Sequence, residues 1–79
     1  MTPEKAFGKV LQRLRKAKRL SQEELSFRSQ LDRTFISRLE GGLRQPTLST
    51  IIRLAEALGV SATSIVAEVE NLLNEDKQD

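Results

Sequence analysis

Phe7, Val10, Leu11 and Leu14 recur at the spacing of one helix face, and Thr2 and Pro3 just before them suit an N-cap and a first helical residue. They predict an amphipathic helix over residues 3–18, whose other face carries Lys9, Arg13, Lys16 and Lys18 as a solvated face. Ser21 with Glu24 three residues on is a capping box, so a second helix starts at Gln22 and reaches Ser29, with Leu25 its clearest core residue. Phe27 faces away from Leu25 and reads as surface or edge packing.

Asp32 is an N-cap for a third helix from Arg33 to Gly41, because its carboxylate can accept from unpaired N–H groups of the first turn. Gly41 and Gly42 end it, and Pro46 keeps Leu43–Pro46 as a loop. Thr47 caps a fourth helix, Leu48–Leu58, with Leu48, Ile51, Ile52, Leu54, Ala55 and Leu58 apolar and Gly59 at its left-handed end. Ser61 caps a fifth, Ala62–Asn74, with Ile65, Val66, Val69, Leu72 and Leu73 apolar. Residues 75–79 are expected as a frayed acidic tail. No segment alternates with a period of two, so the expected fold is an all-α, five-helix single domain over residues 1–74.

Seventy-nine residues leave room for one small domain. The chain has neither Cys nor His, which removes disulfides, thiolate or imidazole metal sites and the usual nucleophile–base pairs. No cofactor, no metal and no enzymatic activity are expected, since the carboxylates read as caps, a salt bridge or exposed groups without a base partner. No apolar run reaches the roughly 18 to 20 residues of a membrane span, and a cytoplasmic protein without a membrane partner is expected. Charge is divided: residues 1–45 hold 11 Lys or Arg against 5 Asp or Glu, net +6, while residues 46–79 hold 2 against 6, net −4. A basic first half points to a polyanion partner.

The third helix concentrates the question. At about 100° per residue, Ile36 and Leu39 lie about 60° apart and must face a core, with Glu40 about 40° to the other side of Ile36. Thr34, Ser37 and Arg38 form an outward ridge, and Arg33 sits on the first turn. Phe35 flanks the core stripe, so it either packs at the core edge, which its angle favours, or meets the edge of a partner. A short helix, a turn near Gln30 and a second short helix presenting Arg, Thr and Arg suit the DNA major groove, where Arg donates two bonds to guanine and Thr bonds a base or touches a thymine methyl. The plain alternative is that Arg33 and Arg38 are solvated surface residues.

The segment LSQEELSFRSQLDRTFISRLEGGLRQPTLSTIIRLAEALGVS, residues 20–61, resembles the helix-turn-helix domain of phage-repressor-like, or XRE-type, transcriptional regulators. LDRTFIS and the short length resemble, within that group, the controller proteins of restriction-modification systems. The resemblance implies that Gln22 binds a DNA phosphate and that Arg33, Thr34 and Arg38 read bases. Ser37 and Phe35 stand beside them at the groove edge or backbone, and Arg44 also reaches DNA. Arg19 and Arg28 lie near the same face and are candidate phosphate contacts. It further implies a structural salt bridge between Arg15 and Glu40, in keeping with the inward turn of Glu40. Two positions depart from the family: Ser26 stands where Ala is common, and Gln30 where Gly is common. A left-handed Gln costs about 1 kcal/mol or more, which leaves another turn geometry open there.

Val66, Val69 and Leu73 either complete the monomer core or form a two-fold dimer interface, and one short recognition helix alone rarely gives useful specificity. The expectation is a homodimer on a pseudo-palindromic double-stranded DNA operator with half-sites about 34 Å apart, with RNA polymerase a further partner by resemblance. A phage-type or antitoxin-type autorepressor is the alternative within this class, and an interaction adaptor that does not read DNA the alternative outside it.

Overall fold

The computed structural model describes residues 1–77, which form five helices: α1 (Pro3–Ala17), α2 (Gln22–Ser29), α3 (Arg33–Glu40), α4 (Leu48–Leu58) and α5 (Ala62–Lys77). There is no strand among the described residues, as the absence of period-two alternation implies. Val10, Leu11, Leu25, Ile36, Leu39, Leu54 and Ile65 are fully buried, so each helix contributes to one core. No single helix among the described residues is long and apolar enough to cross a membrane.

Local caps set most of the boundaries. The Thr2 hydroxyl accepts from the Lys5 N–H at 3.2 Å and the Thr47 hydroxyl from the Thr50 N–H at 3.1 Å. The box at α2 is closed in both directions, Ser21 N–H to Glu24 and Glu24 N–H to Ser21, each at 3.0 Å. The Ser21 N–H holds the Glu24 carboxyl below its usual range. Asp32 occupies the N-cap position of α3, but its side chain makes no capping bond.

Two ends differ from expectation. α3 stops at Glu40 rather than Gly41, because Gly42, at φ +74, turns the chain left-handed and sends its N–H to Leu39 and that of Leu43 to Arg38. α5 continues past Asn74 to Lys77, so residues 75–77 of the expected tail are helical, and residues 78–79 lie outside the described residues. Packing against α1 supplies what the local pattern lacks. Glu68 pairs with Arg13, and the Asp76 carboxylate accepts from the Met1 amino group at 2.5 Å.

The turn between α2 and α3 keeps the left-handed geometry despite Gln at its pivot: Gln30 lies at φ 59, ψ 29. Ser26, the other departure from the family, donates to the Leu31 carbonyl at 2.5 Å, and Ser29 donates to the Leu25 carbonyl at 2.7 Å. The Ser26 bond spans the turn, and the Leu31 N–H donates back to the Ser29 hydroxyl at 3.4 Å.

Gly8 sets the approach of α1 to α3. A Cβ there would sit 2.5 Å from the carbonyl oxygens of both Leu39 and Glu40, backbone atoms that cannot swing away. Alanine at this site gains helix propensity of about 1 kcal/mol but, against two fixed backbone oxygens, meets an overpacking cost in the upper part of the usual range, about 2 to 3 kcal/mol. We expect Gly8→Ala to lower the melting temperature by roughly 5 to 10 °C in a thermal unfolding scan, against the rise that the same change gives on an open helix face.

Candidate nucleic-acid interface

α2, the Gln30 turn and α3 set two short helices at an angle, with Leu25 of the first and Ile36 and Leu39 of the second buried in the shared core. Burial of Ile36 and Leu39 fixes the rotation of α3 about its own axis. Arg33, Thr34, Ser37 and Arg38 are consequently exposed together on its outer face. Among the described residues neither Arg33, Arg38 nor Arg44 is paired with a carboxylate. Three guanidiniums are thus left with their donor sets free.

Phe35 is half-buried and packed against the core cluster, the core-edge position suggested by its angle. Its outer ring face is occupied by the Arg44 guanidinium, 5.9 Å from the ring centroid. A cation held over an aromatic face is attracted by the ring quadrupole. Arg44 is therefore steadied next to α3 although it follows in a loop. Nothing in the local pattern of the sequence announces this pairing, since the two residues belong to different elements.

Arg15, Glu40 and Gln22 form a polar cluster beneath this surface. Arg15 Nε donates to Glu40 Oε2 at 2.6 Å and Nη2 donates to Oε1 at 3.0 Å, a two-pronged pair in which the Glu40 side chain is only 3% exposed. Arg15 Nη1 donates to the Leu20 carbonyl at 2.8 Å. The hydrogen bond to Glu40 holds the Arg15 guanidinium above its usual pKa, against the opposing effect of burial. Gln22 Nε2 donates to Glu40 Oε1 at 3.1 Å, which joins the start of α2 to the end of α3.

The remaining candidates are spread more widely. Arg19, at φ 58 in the left-handed region just after α1, is exposed. Arg28 lines an open cleft between α2 and α4 with Gln30, Arg53 and Glu56. Val66 is 42% exposed, whereas Val69 packs against the core within the monomer and Leu73 is half-buried. Leu48, 72% exposed, and Ile52, 43% exposed, lie one turn apart on α4, rotated by about 80° to 160° from the buried Leu54 and Leu58. With α5 set against α4, no element among the described residues reaches over Leu48 and Ile52, and these apolar positions of α4 stay in solvent. Leu48, Ile51 and Val66 line one groove between α4 and α5.

The two buried-core helices, the tight turn between them and the exposed basic ridge define a helix-turn-helix unit. The chain belongs to the helix-turn-helix family, whose model matches residues 11–65. An uncharacterised HTH-type transcriptional regulator, y4dJ, of Sinorhizobium fredii (strain NBRC 101917 / NGR234) is 41% identical over 70 residues, spanning 89% of this chain and 91% of that one. The crystal structure of the restriction-modification controller protein C.AhdI from Aeromonas hydrophila is similar, with 42% identity, a TM-score of 0.77 and coverage of 78% of this chain and 94% of that one. The controller protein C.Esp1396I, crystallised as a tetramer with its natural 35 base-pair operator, is 27% identical with a TM-score of 0.81, over 90% of this chain and 93% of that one. The likeness carried by LDRTFIS is borne out.

The ion pair is the part of this unit most exposed to single substitutions. Arg15→Leu leaves the Glu40 carboxylate buried with only the Gln22 amide as a donor. Removing one member of a buried pair costs about 3 to 5 kcal/mol. We expect a loss of stability of that size in urea unfolding, with the slope of the transition unchanged.

Proposed function

We infer that this chain is a sequence-specific DNA-binding transcriptional regulator, acting as a homodimer on a pseudo-palindromic operator in the cytoplasm. One observation carries the reading: α3 buries Ile36 and Leu39 completely while its opposite face holds Arg33, Thr34, Ser37 and Arg38 in solvent. That division is what a helix needs to lie in a major groove with its anchoring face still in its own core. Arg33, Thr34 and Arg38, with Ser37 beside them, would read base edges. Gln22 and Arg44, aided by Arg19 and Arg28, would hold phosphates, which set register without reading sequence. Phe35 serves as the platform for Arg44 rather than as the contact itself.

The dimer reading is supported by the exposed Leu48, Ile52 and Val66, an apolar strip that a second copy would cover by two-fold symmetry. The proposed interface lies on the α4–α5 side and includes Val66 and the half-buried Leu73, while Val69 packs against the monomer's own core. Similarity to C.AhdI over 94% of that chain supports control of a restriction-modification system in particular. In such a role, cooperative filling of adjacent operators would first activate transcription by recruiting RNA polymerase and then repress it as dimer accumulates.

Selection of bound sequences from a random DNA pool tests the reading. We expect a two-fold site with half-sites about one helical turn apart, and a single asymmetric half-site would remove the dimer. Each bidentate Arg–guanine contact supplies about 1 to 3 kcal/mol of discrimination, so Arg33→Ala with Arg38→Ala should lower affinity for the selected site at least about 30-fold. Unchanged binding of that double variant at physiological salt would end the DNA-reading assignment. Leu48→Glu with Val66→Glu places charges on the proposed dimer face, and sedimentation should report a shift from dimer to monomer with the helical spectrum retained.

A further inference from the structure

We propose that Glu40 is a positioning residue for DNA binding: through the Gln22 amide it presents one N–H of Gln22 to a phosphate before DNA arrives. This rests on the DNA-binding reading above and adds a role for a residue otherwise assigned only to the ion pair. The geometry is specific. Glu40 Oε2 is taken by Arg15 Nε at 2.6 Å, and Oε1 receives both Arg15 Nη2 at 3.0 Å and Gln22 Nε2 at 3.1 Å. An ionised carboxylate only accepts hydrogen bonds. The Gln22 side chain must therefore turn its NH2 group, not its carbonyl, toward Glu40.

That constraint decides which atom remains available. One amide hydrogen is used by Glu40 and the second, on the same nitrogen, is left for a ligand. Phosphate oxygens also only accept, so the orientation imposed by the carboxylate is the one a phosphate requires. With a neutral residue at position 40 the amide could flip and offer its carbonyl, which repels phosphate. A glutamine loses much rotamer freedom when it is ordered. In this arrangement that ordering occurs on folding, so less of it opposes association.

The same idea accounts for the presence of the pair. A buried ion pair is weak evidence of stability, because well-packed apolar residues of similar volume often do as well. Leu or Met in place of Arg15 and Glu40 would fill the space between α1 and α3. They would leave Gln22 without a tether.

The test uses the full chain and the operator obtained by selection. Glu40→Gln keeps a hydrogen-bonding oxygen for Arg15 but lets the Gln22 amide face either way. We expect it to weaken operator affinity by about fivefold or more, the order of one hydrogen bond in each protomer. In a Gln22→Ala background the same change should alter affinity less than about twofold. Equal losses in both backgrounds would overturn the proposal, because Glu40 would then act through the fold alone. A second measurement needs no variant: in the DNA-free wild type, NMR relaxation of the Gln22 side-chain amide should match the rigidity of the α2 backbone. A freely reorienting amide overturns the proposal even if Glu40→Gln fails to fold. Failure of the parent reading looks different, since the wild type would then select no DNA sequence while the Gln22 amide stayed rigid.

Discussion

Arg15 and Glu40 meet where α1, α2 and α3 converge, and with the Glu40 side chain almost wholly buried, water cannot replace either partner. The pair ties the helix-turn-helix unit to α1, while Gly8 lets the backbone of α1 come close to the end of α3. Rotation of α3 then follows from Ile36 and Leu39, and exposure of Arg33 and Arg38 follows from that rotation. A helix of eight residues is too short to be stable alone. Its direction and depth therefore come from these tertiary anchors, and so does the position of every side chain on its outer face.

Much of this was legible in the residues because it is local. Thr2, Ser21 and Thr47 act within three residues of themselves, and the alternation of Ile36 and Leu39 with Arg33, Thr34 and Arg38 is a property of one short helix. Features that the sequence missed or misplaced depend for the most part on a second element. α5 outlasts its expected end because α1 lies against it, with Glu68 and Asp76 both engaged. Asp32 looks like a capping residue in any sequence window and takes the N-cap position, yet its side chain closes no bond onto the turn. The bond from Gln22 to Glu40 spans 18 residues and exists only at the observed crossing of α2 and α3. No periodicity could reveal it.

Gln30 and Ser26 illustrate how two departures from a family pattern can be one event. A left-handed Gln carries a steric cost that Gly avoids. The Ser26 hydroxyl, absent where Ala stands, bonds the Leu31 carbonyl across that same turn. Read singly, each substitution suggests an altered turn. Read together, they describe the same turn held by different chemistry, with the placement of α3 preserved.

Leu48 and Ile52 pose the converse problem. Their spacing marks them as apolar members of α4, but spacing cannot say whether the covering surface belongs to the same chain. In the monomer it does not, and on the proposed reading a second copy supplies it. The α4–α5 face and the α3 ridge belong to one rigid arrangement of helices, so pairing through the first would set the distance and angle between two copies of the second. Apolar contacts remote from DNA would then determine which half-site spacing is read, while Arg33, Thr34 and Arg38 determine which bases are read. Spacing and base preference would accordingly be separable properties, one residing in α4 and α5 and the other in α3.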